Sequence, residues 1–350
     1  MIIYSKSQGN TDAAIGKLET PIKMIIEHES DLLSKKKGVA SALFNIEKSN
    51  RFGETIVGEE GFDVFQATEE GAEAAQDTVS EIYKKFIEHI QYTKEFVISA
   101  EMMEDAQYGI ASDTRRRAES FVRAYYKTIN KICETALING AIGSATFAGA
   151  RLDLSTYDGT PLFSGTHYYR NDAAEQSNYY YGDIFYTTSG GVRTPSVERF
   201  EESLAALTIK LRNMKDEQGN SLGYTADTII LPGNRPVAES IVKKVCGSLT
   251  GFNGKDELNL NYGKWNIVIL PNWAPATDAL MLMSSEANKN LCGNMFFNRV
   301  PLNVTNWVDN HTGNYIWNGR CRFGVGFGSY KHILLAVDNP DFPGTASELF

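Results

Sequence analysis

The sequence predicts an α+β protein, and three observations carry that prediction. One uninterrupted stretch of helical periodicity runs from Ser112 to Asn139, helical and buried-strand patterns alternate through the second half, and long β-type stretches occupy 79–99 and 314–339.

The helical stretch contains no Pro, can be capped by Ser112 or Asp113, and is followed by Gly140 where a left-handed terminal residue is wanted. Ala118, Phe121, Val122, Tyr125, Ile129, Ile132, Cys133, Ala136 and Leu137 recur at spacings of three and four, which places them on one stripe. Such a helix is roughly 40 Å long. Burying about seven large side chains yields on the order of 10 to 20 kcal/mol, less than ordering the backbone at roughly 1 to 2 kcal/mol per residue. Sheets or neighbouring chains must therefore cover the stripe.

With 350 residues, 42% hydrophobic and 22% charged, the chain has room for two or three subdomains. No apolar run approaches the roughly 20 residues of a membrane span, and MIIYSKSQGN is too short and polar for a signal peptide, so a cytoplasmic protein with no membrane partner is expected. Cys133, Cys246, Cys292 and Cys321 lack paired spacing, which predicts buried thiols rather than a zinc site or disulfides. The net charge of −9 opposes tight binding to phosphate backbones.

In chain order, residues 1–50 hold two small apolar clusters, Ile22, Ile25, Ile26, Leu32 and Leu33, then Val39, Leu43, Phe44 and Ile46, split by Lys35 to Lys37. They are too few for a core and read as an arm packed on something else, another subunit included. From Glu59 to Asp77 come seven acidic residues and no Lys or Arg. FDVFQAT before the most acidic part and VSEIYKKFIEHIQYTKEFVIS returning from it predict an extended hairpin, with a helix at 77–90 as the alternative. SAEMMEDAQYGIA from Ser99 reads as a short helix ending near Gly109, and the irregular stretch after Gly140 leads to a boundary at Ser189 to Gly191.

Beyond it, Thr194 and Pro195 read as cap and first turn of a helix carrying Val197, Phe200, Leu204, Leu207, Leu211 and Met214. The turn DEQGNSLG, the strand DTIILPG, the helix PVAESIVKKVCGSL, a loop from Gly247 to Gly263, and the strand-length runs WNIVILPNW and ALMLMSS complete an α/β unit. NYIWNGRCRFGVGFGSYKHILLAVDN returns to β-type sequence that can rejoin the long helix.

The order of these parts, with EFVISAEMMEDA, LFSGTH, MKDEQGNSLGYTADTIILPGN and the terminal pattern of Trp317, Arg320, Arg322, Phe323 and Gly324, resembles tailed-bacteriophage major capsid proteins of the Hong Kong 97-type fold, from about Gly58 to Asn339. The resemblance implies an N-terminal arm at 1–57, an extended loop at 58–91, and a peripheral domain at 92–193 and 311–350 with a spine helix at 112–139. It further implies an axial domain at 194–310, whose Gly247 to Gly263 loop is a candidate for lining a ring centre. Hexamers and pentamers would close an icosahedral shell around packaged double-stranded DNA, held without sequence-specific binding, in a virion capsid assembled in the host cytoplasm. The short arm points to a separate scaffolding protein, beside a portal and decoration proteins. A covalent link through Lys84 or Lys85 has no local motif. An encapsulin-like nanocompartment shell is the alternative.

Enzyme chemistry finds little support. His28, His89, His311 and His332 sit in unrelated segments, and His167, near Ser164 and Asp158, reads as a structural loop residue rather than the base of a hydrolase. Gly324, Gly326 and Gly328 open no helix, so a bent strand is preferred to a phosphate loop. Asp216, Glu217, Gly219 and Asn220 lack the later bidentate acid of a calcium loop and read as a turn. No catalytic, cofactor or metal residues are assigned. The one contact expected is between subunits. Arg115, Arg116 and Arg117 open the long helix, where the N-terminal dipole disfavours cations. The acidic loop of a neighbour, around Glu69, Glu70 and Glu73, is expected beside them, with a solvated Arg face as the plain alternative.

Overall fold

The computed structural model describes residues 3–4, 13–36, 38–59, 67, 81–105, 112–168, 175–189, 192–248 and 259–338. The acidic loop residues Glu69, Glu70 and Glu73, the segment near Gly109 and most of the Gly247 to Gly263 loop lie outside them.

The elements run β1 (Ile3–Tyr4), α1 (Ala13–Ser34), α2 (Val39–Leu43), β2 (Asn45–Lys48), β3 (Gly53–Glu59), β4 (Glu81–Glu88), β5 (Ile90–Ile98), α3 (Ala100–Asp105) and α4 (Ser112–Ile138). Short strands follow: β6 (Ser144–Phe147), β7 (Ala150–Asp153), β8 (His167–Tyr168), β9 (Glu175–Gln176), β10 (Tyr179–Tyr181), β11 (Tyr186–Ser189) and β12 (Val192–Pro195). The remainder is α5 (Val197–Arg212), β13 (Thr228–Pro232), α6 (Pro236–Gly247), β14 (Asn266–Leu270), β15 (Asp278–Met283), α7 (Ser285–Asn290), β16 (Asn294–Val308), β17 (Tyr315–Phe327) and β18 (Ile333–Asp338).

Two sheets organise the chain. The first has the order β1-β16-β17-β5, with β2 also paired to β16, and the second the order β10-β18-β15-β13-β14. In the second sheet, alternation sorts side chains onto two faces. Ile230, Met281, Met283, Ile333, Leu335 and Val337 join one core, while Ile229, Leu231, Leu280, Leu282, Leu334 and Ala336 face α5 and α6 in another.

α4 ties the two sheets together. Ala118, Phe121 and Val122 in its first half pack with Ile22 and Ile26 of α1 and with Leu302, Val304 and Trp317 of the first sheet. Ile132, Cys133, Ala136 and Leu137 in its second half join the core shared by both sheets. The apolar stripe read from the sequence is the buried stripe. A carboxylate fixes the join: Glu134, 4% exposed, accepts the Asn272 backbone N–H at 2.7 Å and the Asn272 side-chain amide at 2.5 Å.

Several local expectations need correction. The left-handed turn after α4 comes at Gly143 (φ +76°), not Gly140. At Gly140 a Cβ would instead crowd the Phe163 ring at 3.0 Å, so the ring would have to give by a few tenths of an ångström. The cap of α5 is Ser196, whose hydroxyl accepts from the Arg199 N–H, while Pro195 ends β12. The Ile22 and Ile26 cluster packs on α4 of its own chain. β4, by contrast, is a strand, in line with the hairpin reading rather than a helix at 77–90.

Strand pairing also cuts across the expected boundaries at 193 and 310. β16 pairs with β17 in the first sheet, whereas β10 and β18 pair in the second. The reason for β18 is that all six of its residues are buried, which suits a central strand covered on both faces.

His332 joins the packing as a neutral ring. Fully buried, its Nε2 faces Asn294 Oδ1 at 2.8 Å, and burial pushes its pKa down to about 3. The unfolded-state value is near 6.5, so stability is complete above that pH and is lost progressively as pH falls toward 3. The His332 share of the unfolding free energy should fall by about 2 kcal/mol between pH 7 and pH 5, read from denaturant titrations as the difference between the parent and His332→Gln, because Asp338, raised to about 6 by burial, shifts the parent the opposite way over the same window. Glu134→Gln, which sets an amide donor against the Asn272 donors, should lower stability by about 1 to 3 kcal/mol in the same titration.

Candidate contact surfaces

The basic turn of α4 lies on the surface, and its charges are partly matched within the chain. Arg115 pairs with Glu119 one turn on at 2.9 Å, and Arg123 pairs with Glu29 of α1 at 2.7 Å and with Glu119 at 3.4 Å. Arg117 donates to the Val97 carbonyl at 2.9 Å, which ties the turn to β5. Between α4 and β5 runs a groove of about 620 Å³ whose lining includes Lys94, Phe96, Arg116, Arg117, Phe121 and Arg123. The structure thus brings Arg116 and Arg117 together with Lys94 and Arg123, which sequence reading did not single out. Their proximity follows from β5 and α4 lying side by side, and no local motif announces it.

β3 and β4 form an antiparallel ribbon with Thr55 opposite Phe86 and Val57 opposite Lys84. Alternation gives it two faces. Lys85, Ile87 and His89 are buried against the body, while Phe86 is 50% exposed and Phe52, at the ribbon's root, 63% exposed. Gly324 and Gly326 allow the close approach of the ribbon, and Gly328 that of the turn at Cys292. A Cβ at Gly324 would lie 2.7 Å from the Glu88 carbonyl, at Gly326 2.7 Å from Ile87, and at Gly328 2.3 Å from the Cys292 carbonyl. The FGVGFG stretch is thus a strand packed tightly on its neighbours, and it opens no helix. Lys85 anchors the ribbon through Asp153 at 2.5 Å and Ser155 at 2.7 Å, so this lysine is engaged inside its own chain.

The residues that could suggest chemistry are held in structural bonds. His167 is fully buried, with Nδ1 2.7 Å from Asp158, Nε2 facing the Leu162 carbonyl at 3.2 Å, and its ring stacked 3.7 Å from that of Tyr330. Burial alone would raise the Asp158 carboxyl, but hydrogen bonds from His167, Thr156 and Thr160 outweigh it and hold the group at about 2. Ser164 Oγ donates to the Thr166 carbonyl at 3.1 Å. Asp216 accepts the Gln218 and Asn220 backbone N–H groups at 3.0 and 2.8 Å, as a turn requires. Among the described residues, no three His, Cys, Asp or Glu gather as a metal would need, and no helix is long and apolar enough to cross a membrane.

Residues 83–336 match the model of a family described as phage capsid protein. This chain belongs to that family. The capsid of Myoviridae phage XM1 is similar in fold, with 14% identity and a TM-score of 0.50 over 87% of this chain and 93% of that one. The α+β fold is accordingly a phage-capsid fold of the Hong Kong 97 type. A Mycobacterium phage Patience structure aligns at 13% identity and a TM-score of 0.47, covering 99% of this chain and 94% of that one. A virus-like particle from Pyrococcus furiosus aligns at 8% identity and a TM-score of 0.46, covering 91% and 98%. No curated protein matches the sequence.

In a capsid protein the surfaces matter through the rigidity of what carries them. One such support is the buried pair of Lys331, 4% exposed, and Glu217, which also accepts the Tyr157 hydroxyl at 3.0 Å. Burial pushes the Lys331 ammonium down and Glu217 pushes it back up, with burial the stronger effect. Glu217→Gln would leave the ammonium buried without its counter-charge. A stability loss of about 3 to 5 kcal/mol is expected, read from denaturant unfolding at pH 7.

Proposed function

We propose that the chain is the major capsid (head) protein of a tailed phage or prophage, assembling as hexamers and pentamers into an icosahedral shell that encloses double-stranded DNA. The observation that carries this reading is the family match across residues 83–336, which takes in α4, β5, β16 and β17 of the first sheet and nearly all of the second. Exposed apolar side chains on projecting parts support it, chiefly Phe52 and Phe86 at the ribbon and Leu260, 84% exposed, beside the Gly247 to Gly263 loop.

In this reading residues 1–57 are the arm, 58–91 the extended loop, 92–193 with 311–350 the peripheral domain and 194–310 the axial domain, with strands exchanged between the last two. Assembly takes place in the host cytoplasm with a separate scaffolding protein, and a portal and decoration proteins complete the particle. The net charge of −9 suits a wall that encloses DNA without gripping it. Function resides in shape and self-contact, with no catalytic step.

Negative-stain microscopy and sedimentation of the purified chain, alone and with a candidate scaffolding protein, test this. Closed shells with five- and six-fold capsomers are expected. A chain that stays monomeric at every concentration and with every scaffold tried would overturn it.

A further inference from the structure

Where α1, α2 and α4 meet β16, the chain leaves a cavity of about 420 Å³. Leu33, Tyr125, Ile129, Pro301 and Leu302 give it an apolar lining, and Lys36, Arg123 and Lys127 bring positive charge to it. No Asp or Glu lines it. Arg123 is already matched by Glu29 and Glu119, whereas Lys36 and Lys127 are exposed and form no ion pair among the described residues.

The cavity also borders an interruption in a sheet. β16 pairs with β2 as far as Asn298 and with β1 only from Asn303, so Pro301 and Leu302 lie in the gap between the two partners. The Asn298 side-chain oxygen is buried there with no donor among the described residues. A buried acceptor left open is costly, and a peptide N–H is the kind of donor that closes it.

An extended peptide with large apolar side chains, acidic charge and no base fits this lining. Segment 339–350, NPDFPGTASELF, follows β18, lies outside the described residues and has that make-up. Glu348 stands beside Leu349 and Phe350, Asp341 stands beside Phe342, and no Lys or Arg occurs. Pro340 and Pro343 fix their own φ and bias the residues before them towards extended backbone, which lowers the entropy lost on docking.

Reach allows the seat within one chain. His332, next to the start of β18, touches Asn294 at the start of β16 at 2.8 Å. From that joint, Asp338 lies about 17 Å along β18 and Asn298 about 13 Å along β16, so the path between them is about 40 Å with the joint included. The straight line is shorter than this path. Between Asp338 and Leu349 the chain spans at most about 36 to 40 Å, which brings Glu348, Leu349 and Phe350 within reach of the cavity.

We propose that the cavity between α1, α2, α4 and β16 is the seat of Glu348, Leu349 and Phe350 of the same chain, with the two apolar side chains inside it and Glu348 facing Lys36 and Lys127. Segment 339–350 then straps the outer end of the second sheet to α1 and α4. The inference goes beyond the capsid reading and does not rest on it.

Photocrosslinking in the unassembled full chain tests the seat. With p-benzoylphenylalanine in place of Phe350, irradiation and digestion should link that residue to peptides that hold Leu33 to Ser41, Tyr125 to Asn130 or Asn298 to Leu302, read by mass spectrometry. An equal mixture of ¹⁴N- and ¹⁵N-labelled chains should give links within one isotope only. Lys36→Glu/Lys127→Glu removes two exposed pairings and should lower the yield about tenfold, and Glu348→Lys in the same chain should restore it. Links to other peptides alone, links of mixed isotope, or a yield that ignores Lys36 and Lys127 would each overturn the proposal. Shell formation plays no part in this readout, so a chain that never assembles would count against the capsid reading and leave the seat standing.

Discussion

The structure depends on one helix being covered by two different sheets. α4 is 27 residues long, and no single small sheet spans it, so its first half is buried against α1 and the first sheet and its second half in the core that both sheets share. Each sheet gains apolar cover from the other's helix half. Neither half of the chain can therefore be removed without stripping the other. The Glu134 carboxylate adds direction to this burial, since two hydrogen bonds to one asparagine fix the angle between helix and sheet in a way that apolar contact alone does not.

Buried polar groups repeat that role elsewhere. Lys331 with Glu217, Lys85 with Asp153 and His167 with Asp158 each tie a loop or ribbon to a sheet, and each is shielded on at least one side. Net stabilisation from such pairs is small once desolvation is counted, so their contribution lies in excluding alternative placements of the loops they hold. A building unit whose contacts are repeated many times needs that uniqueness, because an error in the angle of a projecting part is multiplied at every copy.

How much of this was legible in the sequence follows from how local each signal was. The stripe from Ala118 to Leu137 and the strands TIILP, DALMLM and ILLAVD were readable because their periodicity sits within a few residues. β16 was not, since Asn294, Asn298, Asn303 and Asn306 interrupt its pattern and Pro301 falls in a stretch where the pairing register shifts. Nor were the clamps, whose partners are 68, 114 and 138 residues apart. Arg115 to Arg117 stood out as cations at a helix start, whereas the groove around them exists only once β5 lies beside α4.

The ribbon combines a fixed inner face with an exposed outer one. Its inner face is packed to the limit that Gly324 and Gly326 permit, so the body dictates where it points. Its outer face lacks such cover among the described residues, with Phe86 50% exposed. Two strands alone are marginal in water, and alternation cannot bury both faces of a ribbon against one body. A stiff root, an exposed aromatic side chain and a strongly acidic segment between its two strands together describe an element suited to contacts outside the subunit. On the proposed reading those contacts come from identical copies. The body then supplies rigidity and the projections supply association, so that a change weakening one need not weaken the other.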